Sequence, residues 1–213
     1  MTQATQTKHE TYSDIQRKLK MLMAESYDDQ RRRLANLIRL HCVEEDPKGF
    51  KLKSGEVAPQ YINVKKAAQH PVGALLIGRM IHDMVVSHAR PISHIGGKVT
   101  GGIVVSQSVV TLSALTDNPL KGFYVRDTTK EYATKTIVEG LKRGEKTKLL
   151  VAVDDVSTTG NSLADAIEVV QNTIGAEFAF AVSVVNRQRD DQVQKRTGVK
   201  HTQIFTEQDI FNP

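Results

Sequence analysis

The chain has 213 residues, of which 39% are hydrophobic and 25% are charged, as in an ordinary globular protein. This length suits one domain with a sizeable core. No apolar run approaches the roughly 20 residues of a membrane span, and the polar N-terminal segment does not resemble a signal peptide. The single cysteine, Cys42, excludes an internal disulfide and predicts a reducing, cytoplasmic environment.

The formal net charge of +5 is concentrated in the middle of the chain, where residues 51–150 carry fifteen Lys/Arg against seven Asp/Glu. Such a basic region can attract nucleic acid or a small polyanionic substrate. Aromatic residues make up 5% of the chain, and no recognition helix is evident. The composition therefore favours a small anionic partner over nucleic acid.

Hydrophobic periodicity predicts an alternation of helices and strands. The predicted elements, in chain order, are one or two helices over 13–43, extended segments near 50–53 and 61–64, a helix over 71–85, a strand at 92–96, a helix over 103–115, a strand at 122–125, a helix at about 134–142, a strand at 149–153, a helix over 163–174, and strands at 178–185 and 203–205. This alternation predicts an α/β fold with a mostly parallel central sheet flanked by helices. Ligand sites in such sheets lie beyond the carboxyl ends of the strands.

Residues 149–162 carry the most informative pattern. An apolar run ends in two adjacent carboxylates, and a polar loop then leads into a helical pattern; these residues are Asp154, Asp155, Ser157, Thr158, Thr159, Gly160, Asn161 and Ser162. Free backbone N–H groups and the helix dipole suit a phosphate, while carboxylates bind sugar hydroxyls or a divalent metal. The alternative interpretation is a strand, a polar loop and a capped helix that have no function. It is less favoured, because burying two unpaired carboxylates costs free energy. The pattern therefore predicts a phosphorylated-sugar site.

The same residues resemble the phosphoribosyl-pyrophosphate signature of type I phosphoribosyltransferases. The resemblance implies that family's fold, with an N-terminal helical extension at 1–45 and a phosphoribosyltransferase domain at 46–213 that includes a hood at 46–66. It implies that Asp154 and Asp155 hold the ribose, partly through Mg²⁺ that the substrate mainly binds, and that 157–162 surround the 5′-phosphate. The glycine-rich run 96–102, with Lys98, Thr100 and Gly101, lies where this family binds pyrophosphate.

Two further segments resemble orotate phosphoribosyltransferases. Residues 50–55, Phe-Lys-Leu-Lys-Ser-Gly, precede Pro59 and Tyr61; alone they would be an exposed basic strand. The resemblance implies that Lys53 contacts the substrates and that orotate is bound near three residues, Tyr61, Ile62 and Thr158. Arg187 matches the arginine that recognises orotate, and its planar fork suits carboxylate or imide oxygens, although Asn186 replaces the usual Asp.

Residues 124–133 occupy the place of the family's catalytic loop. Arg126 and Lys130 match, whereas Asp127 replaces a lysine, Tyr132 a histidine and Ala133 a glycine. Asp127 would repel pyrophosphate unless it points away or pairs with a cation. An ordinary charged surface loop is the alternative interpretation.

The resemblance implies transfer of the 5-phosphoribosyl group from phosphoribosyl pyrophosphate to orotate, giving orotidine 5′-monophosphate and pyrophosphate in pyrimidine biosynthesis. Three residues would be catalytic: Lys130, Arg126 and Lys53. The family's sites are shared across a homodimer, and a lid formed by 126–135 would exclude water. The altered loop leaves two alternatives, a phosphoribosyltransferase for another acceptor or with weakened catalysis, and a non-catalytic regulator that binds phosphoribosyl pyrophosphate.

Overall fold

A computed structural model of the chain describes residues 11–51, 57–127, 137–144, 149–187 and 192–211. The elements follow the chain as α1 (Tyr12–Ala24), α2 (Tyr27–His41), β1 (Val43–Lys51), β2 (Val57–Ile62), α3 (Val64–Ala68), α4 (Pro71–Val86), β3 (Ile92–Lys98), α5 (Gly101–Ser113), β4 (Lys121–Val125), β5 (Val138–Glu139), β6 (Leu149–Ser157), α6 (Asn161–Ile174), β7 (Phe178–Asn186), α7 (Gln192–Thr197), β8 (His201–Thr206) and α8 (Glu207–Phe211).

Six strands form the central sheet in the order β5-β4-β3-β6-β7-β8, and a separate antiparallel pair joins β1 to β2. All neighbours in the central sheet are parallel except β5, which runs antiparallel to β4. The prediction of a mostly parallel sheet flanked by helices is therefore confirmed. In the described part of the chain, no helix has the length and apolar character needed to cross a membrane.

Strand β6 is apolar throughout its first half because both of its faces are covered. Val151 and Val153 join the large core with α2, α4, α5 and α8, whereas Leu150 and Ala152 pack towards α6. Alternation along the strand thus divides the core into two layers. The sheet at the centre of these layers is the rigid base on which the polar loops stand.

Several predicted bounds differ from the structure. Strand β6 does not end at Val153 but continues to Ser157, paired with β7 as far as Asn186, so the two carboxylates lie within the sheet. Val64 was predicted to end the second extended segment, but it begins α3 instead. It belongs to the buried face of this helix, together with Ala67.

The helix predicted at about 134–142 is wrong where the structure describes this stretch. Val138 and Glu139 form the edge strand β5. Gly140 then takes a φ of +86°, which interrupts a right-handed helix, and Val138 is buried against β4. Residues 134–136 lie outside the described ranges. The short helices α7 and α8 were not predicted.

Candidate active site

A cavity of about 980 Å³ opens at the carboxyl ends of β3, β6 and β7. The residues that line it come from six separate stretches of the chain: Phe50, Tyr61, Ile62, Lys65, Lys98, Val99, Thr100, Gly101, Asp127, Asp154, Asp155, Val156, Ser157, Thr158, Thr159, Gly160, Asn161, Ser162, Asp165 and Arg187. The chain leaves β3 for β4 on one side and returns as β6 on the other, so the cavity lies where the strand order reverses. This is the usual place for a ligand in an open α/β sheet.

The two carboxylates of β6 form the floor of the cavity. Asp154 and Asp155 are 8% and 6% exposed, and the Asp155 N–H donates to Asp154 Oδ1 at 3.0 Å. Lys65 of α3 donates from Nζ to Asp155 Oδ2 at 2.8 Å. One acid of the pair is thus neutralised by a lysine that no sequence motif singled out.

Burial, followed by the adjacent Asp155 charge, raises the pKa of Asp154 well above its ordinary value. For Lys65, burial alone would lower the pKa, but the hydrogen bond and charge of Asp155 outweigh it and raise the pKa. Asp154 is therefore harder to ionise than a free carboxyl group, whereas Lys65 remains an ammonium that pairs with Asp155. A ligand hydroxyl or a cation at this point would compensate the buried acid.

The glycine-rich loop after β3 lies directly against these acids. A Cβ on Gly101 would come within 2.4 Å of an oxygen of each carboxylate. At the end of β3, just before the loop, a Cβ on Gly97 would lie 2.0 Å from the Val153 carbonyl oxygen. The loop also contains a cis peptide bond between Val99 and Thr100. Glycine is required here because the backbone of the loop packs on the end of β6.

The loop after β6 leads directly into the first turn of α6. Gly160, at φ +80°, precedes the helix and has no side chain to cap it. The Asn161 N–H donates to Thr159 Oγ1 at 3.5 Å, and the N–H groups that follow it in the first turn can serve a ligand. Ser157 is 4% exposed, and its Oγ has no hydrogen-bond partner among the described residues. Orphan donors in a 14-residue helix and a buried free hydroxyl fit an anion such as phosphate.

Lys98 also lines the cavity, and its ammonium lies between two acids. Its Nζ lies 3.2 Å from Asp127 Oδ1 and 3.2 Å from Asp165 Oδ2. Asp165 also contacts Arg196 at 2.8 Å, and Arg196 is paired with Glu168 as well. Asp127, which was expected to repel pyrophosphate unless it met a cation, does meet one.

Arg187 borders the cavity from the end of β7. Its Nε donates to Glu207 Oε1 at 2.7 Å, and its Nη2 forms an ion pair with the same oxygen at 2.6 Å. The Arg187 backbone N–H donates to the Ser157 carbonyl at 2.8 Å. Phe50 and Tyr61 lie on the same cavity wall with ring centroids 5.7 Å apart. One aromatic pair and one guanidinium can together bind a flat, polar ring.

Of the three predicted catalytic residues, only Arg126 lies within the described residues. Arg126 does not line the cavity; it pairs with Glu139 at 2.8 Å and lies over the Tyr124 ring. Lys53 and Lys130 fall outside the described residues, as do the two departures Tyr132 and Ala133.

Sequence reasoning missed three charged residues that contact the predicted ones, namely Lys65, Asp165 and Glu207. Lys65 follows the extended segment predicted at 61–64 and precedes another lysine, Lys66, and Asp165 is one polar position of an amphipathic helix. Glu207 follows the last strand directly, which was the single available hint. Their partners are set by the fold and carry no local motif.

The charges in the cavity nearly balance. Of the described lining residues, Lys65, Lys98 and Arg187 are cationic, and four are acidic: Asp127, Asp154, Asp155 and Asp165. Each of the three cations contacts a carboxylate. A multiply charged anion therefore needs further positive charge here. Among the described residues, no three His, Cys, Asp or Glu side chains are grouped to hold a metal by themselves.

Comparison with known proteins supplies the family. No protein-family model matches the chain. The chain is 36% identical over 168 residues to the orotate phosphoribosyltransferase of Rhodopirellula baltica, covering 76% of this chain and 85% of that one. It is 30% identical over 181 residues to the orotate phosphoribosyltransferase of a Nostoc species, covering 84% of each.

Solved structures agree in fold. The orotate phosphoribosyltransferase of Mycobacterium tuberculosis in complex with phosphoribosyl pyrophosphate is 25% identical with a TM-score of 0.66, covering 85% of this chain and 99% of that one. A phosphoribosyltransferase from Corynebacterium diphtheriae has a TM-score of 0.70 at 23% identity, covering 86% and 99%. The fold is thus the type I phosphoribosyltransferase fold. With relatives at 30–36% identity over most of its length, the chain belongs to the orotate phosphoribosyltransferase family.

Proposed function

We propose that the chain transfers the 5-phosphoribosyl group from phosphoribosyl pyrophosphate to orotate, giving orotidine 5′-monophosphate and pyrophosphate. One observation carries the proposal: the paired acids, the uncapped helix start, the glycine-rich loop and Arg187 all border one cavity. The related enzyme of M. tuberculosis is known in complex with phosphoribosyl pyrophosphate. Membership of the family supports orotate as the acceptor, and the residues that line the cavity suit the parts of the donor, phosphoribosyl pyrophosphate.

The ribose would lie over Asp154 and Asp155, whose oxygens accept hydrogen bonds from hydroxyl groups. Its 5′-phosphate would occupy the loop 157–162, where Ser157 Oγ is buried without a described partner. The pyrophosphate would extend towards Thr100 and Lys98. This arrangement would pair the ribose hydroxyls with carboxylates and the 5′-phosphate with N–H and O–H donors, while the pyrophosphate would need positive charge beyond Lys98.

Orotate would lie between the aromatic wall of Phe50 and Tyr61 and the free edge of Arg187. In the reaction, the bond from the anomeric carbon to pyrophosphate breaks, its electron pair leaves with pyrophosphate, and an orotate nitrogen forms the new bond. Negative charge grows on the leaving oxygens, so cations near them lower the barrier. Lys98 is the described lysine in that position; Lys130, Lys53 and Arg126 remain proposed contributors.

Mg²⁺ fits this site as a partner of the substrate. The lining acids outnumber the lining cations, and Asp155 is already paired with Lys65, so the protein offers acidic surroundings without a closed set of ligands. Asp154 and Asp155 are the residues that would support the ion beside the ribose. When bound, the ion would neutralise part of the pyrophosphate charge.

We also propose a homodimer with shared active sites and a cytoplasmic location, as the family resemblance and the buried single cysteine Cys42 support. The division at residue 45 into a helical extension and a catalytic domain with a hood at 46–66 remains part of this proposal. Light scattering on the purified chain tests the dimer.

The test of function is the loss of orotate absorbance on mixing the protein with phosphoribosyl pyrophosphate and Mg²⁺. Turnover that requires all three components supports the proposal, and chelation of the metal should abolish it. Lys130→Ala should lower the rate steeply, whereas Lys200→Ala, at an exposed position, should not. Ligand binding without turnover of orotate would refute the proposal and favour the non-catalytic alternative; turnover of another base would favour a different acceptor.

A further inference from the structure

Lys98 and Asp127 form an ion pair, with Nζ 3.2 Å from Oδ1, beside the part of the cavity assigned to pyrophosphate. The Lys98 side chain is 26% exposed; its Nζ donates to Asp165 Oδ2 at 3.2 Å and forms an ion pair with Asp127 Oδ1, also at 3.2 Å. Burial alone would lower the pKa of Lys98, but the hydrogen bonds and charges of Asp165 and Asp127 outweigh it and raise the pKa. An incoming anion must therefore compete with acids of the protein for this ammonium.

The two acids are not equivalent. Asp165 sits on α6 and also contacts Arg196, so it keeps a cation when Lys98 leaves. Asp127 has a side chain that is 64% exposed, and Lys98 is the cation that it contacts in the described part of the chain. The carboxylate of Asp127 is thus the one that can be released at low cost, because water can solvate it.

We propose that Asp127 is an internal competitor for Lys98: its carboxylate holds the ammonium in the empty enzyme and gives it up to the pyrophosphate group of the substrate. The proposal rests on the proposed function, since it takes pyrophosphate as the occupant of this region. Asp127 thereby weakens the binding of phosphoribosyl pyrophosphate, and of the pyrophosphate product by the same contact. It is an affinity-determining residue that does not contact the reacting atoms.

The test is a calorimetric titration of the purified protein with inorganic pyrophosphate in buffer containing Mg²⁺. Asp127→Asn removes the competing charge and keeps the size of the side chain, so Kd should fall about three- to tenfold. Glu168→Gln is the matched control: it also removes one acid, but from a residue paired with Arg196, and it should leave Kd within twofold.

Making the same substitution in a Lys98→Met variant distinguishes competition for the Lys98 ammonium from simple repulsion between Asp127 and the anion. In Lys98→Met, the ammonium is absent, so adding Asp127→Asn should change Kd little if the two residues compete through their ion pair. An undiminished gain in that background would show simple charge repulsion and overturn the proposal. An unchanged or raised Kd in Asp127→Asn alone would overturn it as well.

Failure of the proposed function gives a different result. A protein that binds pyrophosphate more tightly as Asp127→Asn, yet does not consume orotate in either form, would refute the acceptor and leave the competition standing. A wild-type protein that does not bind pyrophosphate would refute the competition whatever its activity towards orotate.

Discussion

The Arg187 guanidinium donates from Nε to Glu207 Oε1 at 2.7 Å, and its Nη2 forms an ion pair with the same oxygen at 2.6 Å. The Arg187 side chain is 8% exposed, so this pair is largely removed from water. One edge of the guanidinium is thereby fixed, in a residue that lines the cavity. Glu207 begins the short helix α8, so the last strand and helix of the chain orient a residue of the proposed acceptor site.

Arg187→Lys should raise the KM for orotate about ten- to a hundredfold while the KM for phosphoribosyl pyrophosphate changes little. A lysine cannot donate to Glu207 and to an acceptor oxygen in the same plane, and loss of a charge-assisted bond costs about 1.5–3 kcal/mol. Steady-state kinetics with each substrate varied in turn measure both constants. Arg90→Lys, at an exposed pair with Glu177, is the control. Equal rises in both KM values would contradict a role specific to the acceptor.

Ser157→Ala should weaken binding of the phosphorylated substrate without destabilising the empty protein. The Ser157 hydroxyl is buried and has no described partner, so its removal relieves an unsatisfied group, and the free energy of unfolding should stay level or rise by up to about 1 kcal/mol. Urea denaturation with and without phosphoribosyl pyrophosphate measures both effects.

Ser183→Ala is the matched comparison for that variant, because Ser183 is also fully buried but contacts His201 at 3.2 Å. It should lose about 1 kcal/mol of stability and retain ligand binding. If the two variants lost stability equally, the assignment of the Ser157 hydroxyl to a ligand would fail.

Gly101→Ala should abolish substrate binding and lower the free energy of unfolding by about 1–3 kcal/mol, because its Cβ would overlap the oxygens of Asp154 and Asp155. Gly122→Ala offers a control in a neighbouring strand, since the nearest atom to its Cβ is 3.6 Å away, an ordinary contact. Thermal unfolding and pyrophosphate titration of both variants give the answer. A Gly101→Ala protein with normal affinity would show that the loop need not lie against the acids.

Asp209 should make a pH-dependent contribution to stability. It accepts from Thr206 N at 2.7 Å and from Thr206 Oγ1 at 2.8 Å, and it pairs with Arg31 at 3.1 Å. Burial alone would raise the pKa of Asp209, but these partners outweigh it and hold the pKa below its ordinary value. The stabilisation is therefore present above the unfolded pKa of about 3.9 and is lost as the pH falls through it towards the folded pKa.

Asp209→Asn should accordingly lower the free energy of unfolding by about 1–2 kcal/mol near pH 7 and by progressively less in acid. Urea titrations across this pH range measure the difference, with Asp117→Asn, at an exposed position, as the reference. A difference that stayed constant down to the lowest pH would mean that the Asp209 charge is not what stabilises α8.

Much of this architecture is readable from the sequence because it is local. The apolar run of β6, the two acids and the polar loop follow one another along the chain, so periodicity and residue type identify them together. The end of the strand was misplaced, however, since pairing with β7 carries β6 past Val153. The helix predicted at about 134–142 was likewise wrong, since Val138 and Glu139 pair with β4 and Gly140 has a positive φ.

The pairings in the site could not be predicted, because each joins residues far apart in the chain. Lys65 meets Asp155, Lys98 meets Asp127 and Arg187 meets Glu207. The sequence indicated that the Asp127 charge would repel an anion. It could not predict that Lys98 pairs with this charge, because the pairing depends on β3 and β4 being neighbours in the sheet. Residue type showed where charge belongs, and the fold determined which charges neutralise one another.

The pairing of β3 with β6 has a kinetic consequence. Ile92 aligns with Leu149 and Gly96 with Ala152, so the glycine-rich loop and the acids meet only after a long intervening segment has been accommodated. Such non-local parallel pairings form slowly, because the entropy of loop closure is lost before the contacts form. A partly synthesised chain that lacks β6 therefore cannot yet bring the glycine-rich loop against the acids. The ligand should slow unfolding of the completed protein and leave its folding rate almost unchanged.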